Sequence, residues 1–131
     1  MAGKKILIVD DEPMFRTLMI QCLRPLVKED VEFLTAEDGF IALKMANSEE
    51  PDLIFLDLMM PGMDGIEVCR LIKTNERLKH IQVVILTARK HPQDKEIGKL
   101  SGADKYLVKP FEPKDILQCA QEALGLLPAS A

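Results

Sequence analysis

Long hydrophobic runs are missing from this 131-residue sequence: none exceeds four residues, and Ile6–Val9, Leu53–Leu56 and Val83–Leu86 are among those that reach four. A bilayer-spanning helix needs roughly 20, so no transmembrane helix and no membrane partner are expected. Lys4 and Lys5 resemble the start of an export signal only until Asp10, Asp11 and Glu12 interrupt the apolar stretch, which leaves a cytoplasmic location as the expectation. Cysteine is scarce and odd in number; Cys22, Cys69 and Cys119 are widely separated within helical patterns, as buried reduced thiols rather than disulfides or a metal site. Histidine is scarcer still, and the isolation of His80 and His91 argues against zinc. Neither charge sign dominates: 17 Lys and Arg against 21 Asp and Glu give a net charge of −4, with no block of like charge to attract a nucleic-acid backbone. Internal repeats, low-complexity tracts and linkers are also lacking, so one domain over 1–127 is expected, followed by a short disordered tail over 128–131.

What is present is a regular alternation. Hydrophobic residues make up 47% and charged residues 29% of the chain, a globular composition that excludes disordered and fibrous classes. Five short apolar runs recur at even spacing: Ile6–Val9, Val31–Thr35, Leu53–Leu58, Val83–Thr87 and Tyr106–Val108. Most are continuously apolar rather than alternating, the pattern of strands covered on both faces and hence of a parallel sheet. Between and after them lie helical spacings: Phe15, Leu18, Met19 and Cys22; Ala42, Leu43 and Ala46; Val68, Leu71 and Ile72; Ile116, Leu117, Ala120 and Leu124. Pro25 should end the first helix near Cys22 or Leu23. The stretch Pro92–Leu100 is the weakest helical segment, with Gly98 inside it and Ile97 and Leu100 as almost its only large apolar residues. A (βα)5 alternation with right-handed crossovers predicts an α/β, doubly wound three-layer sandwich, a parallel five-stranded sheet in the order 2-1-3-4-5, with function at the carboxyl ends of the strands.

Those ends collect an unusual set: Asp10 and Asp11 after the first strand, Asp57 in the third, Thr87 and Ala88 closing the fourth, and Lys109 after the fifth. Carboxylates about 4 Å apart repel by about 4 kcal/mol per pair at an effective dielectric near 20, so the three acids call for a cation. Oxygen donors without nearby His or Cys select Mg²⁺, with Mn²⁺ as the alternative. A divalent cation, a carboxylate, a lysine and a hydroxyl in one cleft form a phosphoryl-transfer site, in which a carboxylate can act as nucleophile.

At these residues the sequence resembles the receiver domain of two-component response regulators, chemotaxis-regulator-like, over nearly its whole length. Four motifs carry the resemblance: Ile-Val-Asp10-Asp11-Glu-Pro, Asp57-Leu-Met-Met-Pro61-Gly-Met-Asp-Gly65, Leu-Thr87-Ala88 and Lys109-Pro110-Phe111. The resemblance implies that Asp57 accepts a phosphoryl group from a sensor histidine kinase or phosphotransfer protein. It implies Mg²⁺ on Asp11, Asp57 and the backbone carbonyl of Met59, with Asp10 acting through a metal-bound water. Lys109 is implied to pair with Asp57 and then with a phosphoryl oxygen, while Thr87 and the Ala88 amide take another. Thr87 and Tyr106 are the implied switch, and the readout surface spans about Lys90–Leu100, Lys105–Tyr106 and Pro113–Glu122, facing a downstream protein or an effector domain. Such a domain is no conventional enzyme; its chemistry is its own phosphorylation and dephosphorylation. Met59 and Arg89 stand where the family tunes attack by water, and their bulk and charge imply a lengthened phosphoryl lifetime. Lys105, Gln118 and Gln121 lack the pattern of winged-helix regulators that dimerise here, which implies a monomer or a weak phosphorylation-dependent dimer.

Blander readings stand beside these. Asp10 and Asp11 also suit a solvated turn and helix cap, and Lys109 with Asp57 a structural ion pair. Thr87 is a good strand residue and Tyr106 a plausible core aromatic. Gly62 and Gly65 read as turn residues, and Met14, Met19, Met45, Met60 and Met63 as gap fillers or loop cover. A haloacid-dehalogenase-type phosphatase needs an Asp where Met59 stands, and a flavodoxin needs a Thr/Ser/Gly phosphate loop where Asp10-Asp11-Glu12 would repel phosphate. An unphosphorylated scaffold is a further alternative, which the intact Asp57, Thr87 and Lys109 set argues against.

Overall fold

A computed structural model describes residues 3–58, 60, 62, 65–87, 102–109 and 112–126. The elements are β1 (Lys4–Val9), α1 (Pro13–Leu23), a 3-10 helix (Arg24–Glu29), β2 (Val31–Ala36), α2 (Gly39–Glu49), β3 (Leu53–Asp57), α3 (Gly65–Lys73), β4 (Gln82–Thr87), β5 (Lys105–Val108) and α4 (Pro113–Ala123). All strand pairs are parallel, in the order β2-β1-β3-β4-β5, as the sequence predicts. The Pro92–Leu100 segment, together with Ala88, Arg89, Met59 and Pro110, lies outside the described residues.

The apolar runs stay continuous because each central strand feeds two cores. Leu7, Val9, Ile54, Leu56, Val83 and Ile85 pack on one face with Ala42, Ala46, Val68 and Ile72 of α2 and α3. Their alternating neighbours Ile6, Ile8, Leu53, Phe55, Val84 and Leu86 pack on the other with Met19, Leu23, Ile116 and Ala120 of α1 and α4. A strand has a side-chain period of two, so burying both faces requires this uninterrupted apolarity. Edge strands β2 and β5 are less covered, and Glu32 and Lys105 face solvent there.

Local chemistry sets the helix ends. Asp38 caps α2 by accepting from the Ile41 amide at 2.8 Å. Pro13 opens α1 at a position that needs no N–H donor, and α1 ends at Leu23 as Pro25 predicts, although the chain continues into the 3-10 helix instead of stopping. Two expectations are corrected. Met14 is 82% exposed on α1 and fills no gap, unlike Met19 and Met60. Cys22 is only half-buried, whereas Cys69 and Cys119 are buried.

At the end of the sheet remote from the acidic residues, Lys73 ties α3 to β4 and β5. Its ammonium donates to the Ile81 and Lys79 carbonyls at 2.6 and 3.2 Å and pairs with Asp104 at 2.7 Å. Asp104 in turn accepts from the Val83 amide at 2.8 Å. Lys73→Met keeps the aliphatic stem but strands these acceptors, so a loss of about 1–2 kcal/mol in urea denaturation is expected.

Candidate functional site

The crevice follows from topology. The chain leaves β1 toward β2 on one side and returns to β3 on the other, and at such a reversal the crossovers diverge and leave the carboxyl ends of β1 and β3 uncovered. Register then juxtaposes the acids: Val9 lies opposite Leu56, so Asp10 emerges beside Asp57. Likewise Thr87 lies opposite Val108, which delivers Lys109 to the same place, its amide donating to the Thr87 carbonyl at 2.7 Å.

Asp10, Asp11 and Asp57 each present a carboxylate oxygen, all within 4.8 Å of one another. Asp10 and Asp57 are buried, whereas Asp11 is exposed at the mouth. The Lys109 ammonium sits 3.3 Å from Asp57 Oδ2 and 3.5 Å from Asp10 Oδ2. Asp10 Oδ1 accepts from the Glu12 amide at 2.9 Å, so part of the turn reading holds, but Glu12 and not Asp11 occupies the cap position of α1. Asp10 Oδ2 is buried and accepts no hydrogen bond among the described residues. Burial, followed by the charge of Asp57, pushes the Asp10 carboxyl up from 3.8 to about 6, against the opposing pull of the Glu12 amide and Lys109.

A buried carboxylate oxygen that accepts no hydrogen bond and has only a 3.5 Å ion-pair contact among the described residues, in a cluster of hard donors, fits a divalent cation; Lys109 alone does not balance three acids. Asp10, Asp11 and Asp57 are the side chains that would hold the cation. The backbone carbonyl of Met59, the expected further ligand, lies outside the described residues, as does Ala88. Thr87 is fully buried at the end of β4, and Tyr106 on β5 is half-buried against the core under α2 and α3.

Two neighbours of the acids escape a reading of the sequence. Arg16 Nη1 donates to the Asp10 carbonyl at 2.6 Å and fixes the acidic loop on α1. Phe15 lies against Lys109, whose ammonium is 3.9 Å from the ring centroid. An Arg in the first turn of the helix after an acidic pair is a signal that points to the first contact; nothing in the sequence pairs Phe15 with a lysine 94 positions away. Gly65, expected as a turn residue, is instead the buried first residue of α3, its amide donating to the Leu58 carbonyl at 3.2 Å.

Known proteins carry the same arrangement of chain. A family model described as the response regulator receiver domain matches residues 6–121. The alkaline phosphatase synthesis transcriptional regulatory protein PhoP of Bacillus subtilis is 42% identical over 114 residues, 87% of this chain and 45% of PhoP. Protein PilG of Pseudomonas aeruginosa is 36% identical over 115 residues, 88% of this chain and 83% of PilG. The crystal structure of the receiver domain of the sensor histidine kinase PA1611 from Pseudomonas aeruginosa, with a magnesium ion coordinated in its active-site cleft, has a TM-score of 0.83. It is 30% identical to this chain, covering 95% of it and 99% of that domain. The chain spans about half the length of PhoP and of the DNA-binding response regulators MtrA that it also matches.

Proposed function

The chain belongs to the response regulator receiver domains, signalling domains of two-component systems rather than conventional enzymes, and from that premise we propose that it takes a phosphoryl group onto Asp57. The donor is the phosphohistidine of a sensor histidine kinase or phosphotransfer protein. The observation that carries this reading is the convergence of three carboxylates within 4.8 Å beside a lysine 3.3 Å from Asp57.

Asp57 offers Oδ to phosphorus from the end of a buried strand, which holds it still and limits its competition with water. As the new oxygen–phosphorus bond forms, the donor's nitrogen–phosphorus bond breaks and its electron pair leaves on nitrogen. Asp10, Asp11 and Asp57 would hold Mg²⁺, which would supply neutralisation of the charge that develops on the phosphoryl group. Lys109 follows the negative charge from the carboxylate to a phosphoryl oxygen, and Thr87 with the Ala88 amide receives another. Up to about two added charges and three acceptor oxygens then draw Thr87 toward the phosphoryl group, and Tyr106 responds. The surface about Lys105–Tyr106 and Pro113–Glu122 carries the change to a protein partner or effector domain.

The test is intact-mass measurement after incubation with phosphoramidate. Wild type with Mg²⁺ gains the mass of one phosphoryl group; Asp57→Ala gains none, and chelation slows the gain at least about 100-fold. An equal gain in Asp57→Ala, or one indifferent to chelation, contradicts the proposal.

A further inference from the structure

Lys109 is the cation that must move from carboxylate to phosphoryl oxygen, and its surroundings are unusual for an ion pair. Its contacts with Asp57 and Asp10 are 3.3 and 3.5 Å, longer than the 2.7–2.9 Å typical of a strong charge-assisted hydrogen bond. Two long contacts do not fix a flexible four-carbon stem. The third side of the ammonium is covered by the Phe15 ring, with Nζ 3.9 Å from its centroid, well inside the roughly 6 Å range of a cation–π contact.

The ring is itself anchored. Phe15 lies in the first turn of α1, half-buried against the core cluster that contains Met19, Phe55, Leu86 and Ile116. The same turn carries Arg16, whose guanidinium holds the Asp10 carbonyl at 2.6 Å. One helical turn therefore sets both the acidic loop and the lysine that faces it.

We propose that Phe15 is a positioning residue for phosphoryl uptake, acting through Lys109: its π face holds the ammonium between Asp57 and Asp10 and replaces water on its third side. An aromatic face suits this role because its attraction reaches to about 6 Å from the centroid, so an ammonium now at 3.9 Å can shift from carboxylate to phosphoryl oxygen and keep the contact. A carboxylate in the same place would compete with the phosphoryl group for Lys109, and an aliphatic side chain would offer no attraction. The inference rests on Lys109 serving the phosphoryl group as set out above.

Phe15→Leu retains apolar bulk and removes the π face; Phe15→Tyr restores the face. Uptake from phosphoramidate at saturating Mg²⁺ is expected to slow about fivefold in Phe15→Leu and to recover in Phe15→Tyr. The Lys109 ε-methylene resonances, assigned by a Lys109→Arg spectrum, are expected upfield in the wild type through the ring current, to lose that displacement in Phe15→Leu and to keep it in Phe15→Tyr. Unchanged uptake in Phe15→Leu, failure of Phe15→Tyr to recover, or Lys109 resonances indifferent to Phe15 overturns the inference. A wild type that takes up no phosphoryl group overturns the proposed function instead, and the ring-current effect still judges the contact by itself.

Discussion

Asp10→Asn is expected to be more stable than the wild type by about 2 kcal/mol in urea denaturation near neutral pH with a chelator present. The folded wild type holds the Asp10 carboxyl at about 6 against 3.8 for an unperturbed one, chiefly through burial. Between about pH 4 and pH 6 the native state therefore keeps a proton that the unfolded chain has released, and stability falls as pH rises through that window. Above it the cost is complete and reaches at most about 3 kcal/mol, because each pH unit crossed inside the window takes away about 1.4 kcal/mol. Asn carries no charge to desolvate and still offers an oxygen to the Glu12 amide. Its advantage should shrink with falling pH and vanish below about pH 4, where the aspartate is protonated in both states. Mg²⁺ should reverse the order: a ligand that binds only the native state adds about 2.7 kcal/mol at 100 times its Kd, and the variant binds it more weakly. A variant no more stable than the wild type in chelator contradicts the electrostatic account of the pocket.

Gly65→Ala is expected to cost about 3 kcal/mol or more. A Cβ on Gly65 would overlap the Asp57 carbonyl oxygen and approach the Leu58 Cα to 2.9 Å and the Asp57 carbonyl carbon to 3.1 Å. All three are backbone atoms, which cannot turn aside as a side chain can, so α3 must retreat from the end of β3. Because the strand residue it presses on is Asp57 itself, phosphoryl uptake should also fall, by about tenfold. Gly62→Ala is the contrasting control. Gly62 has φ +80, but an added Cβ meets only the Phe40 ring at 3.7 Å, so the left-handed backbone alone should cost about 1 kcal/mol. Equal urea midpoints for the two variants would contradict the close-packing argument.

These two residues mark where the sequence is legible. The layers follow from continuous apolar strands, the strand order from the (βα)5 alternation with right-handed crossovers, and the convergence of Asp10, Asp11, Asp57, Thr87 and Lys109 from the rule that sites form at strand ends. Asp57 is conspicuous because a carboxylate inside Ile-Phe-Leu-Asp-Leu makes no sense without a partner. Gly65 escapes a local turn rule because its role is a close approach between elements, to which such a rule is blind. Phe15, Lys73 and Asp104 are ordinary helix and loop residues until folding brings them to Lys109, Ile81 and Val83. Contacts of that kind depend on side-chain reach across the tertiary structure, about which periodicity says nothing.

The central claim, that Asp57 is the residue which becomes phosphorylated, is tested most directly by chemical trapping. Borohydride reduces an acyl phosphate to the alcohol, so treatment of the protein after incubation with phosphoramidate and Mg²⁺ should convert Asp57, and no other aspartate, to homoserine. Peptide mass spectrometry reads the position. Homoserine confined to position 57 and absent without donor is the predicted result; homoserine at Asp10 or Asp11, or none anywhere when a known receiver domain reacts alongside, contradicts the account.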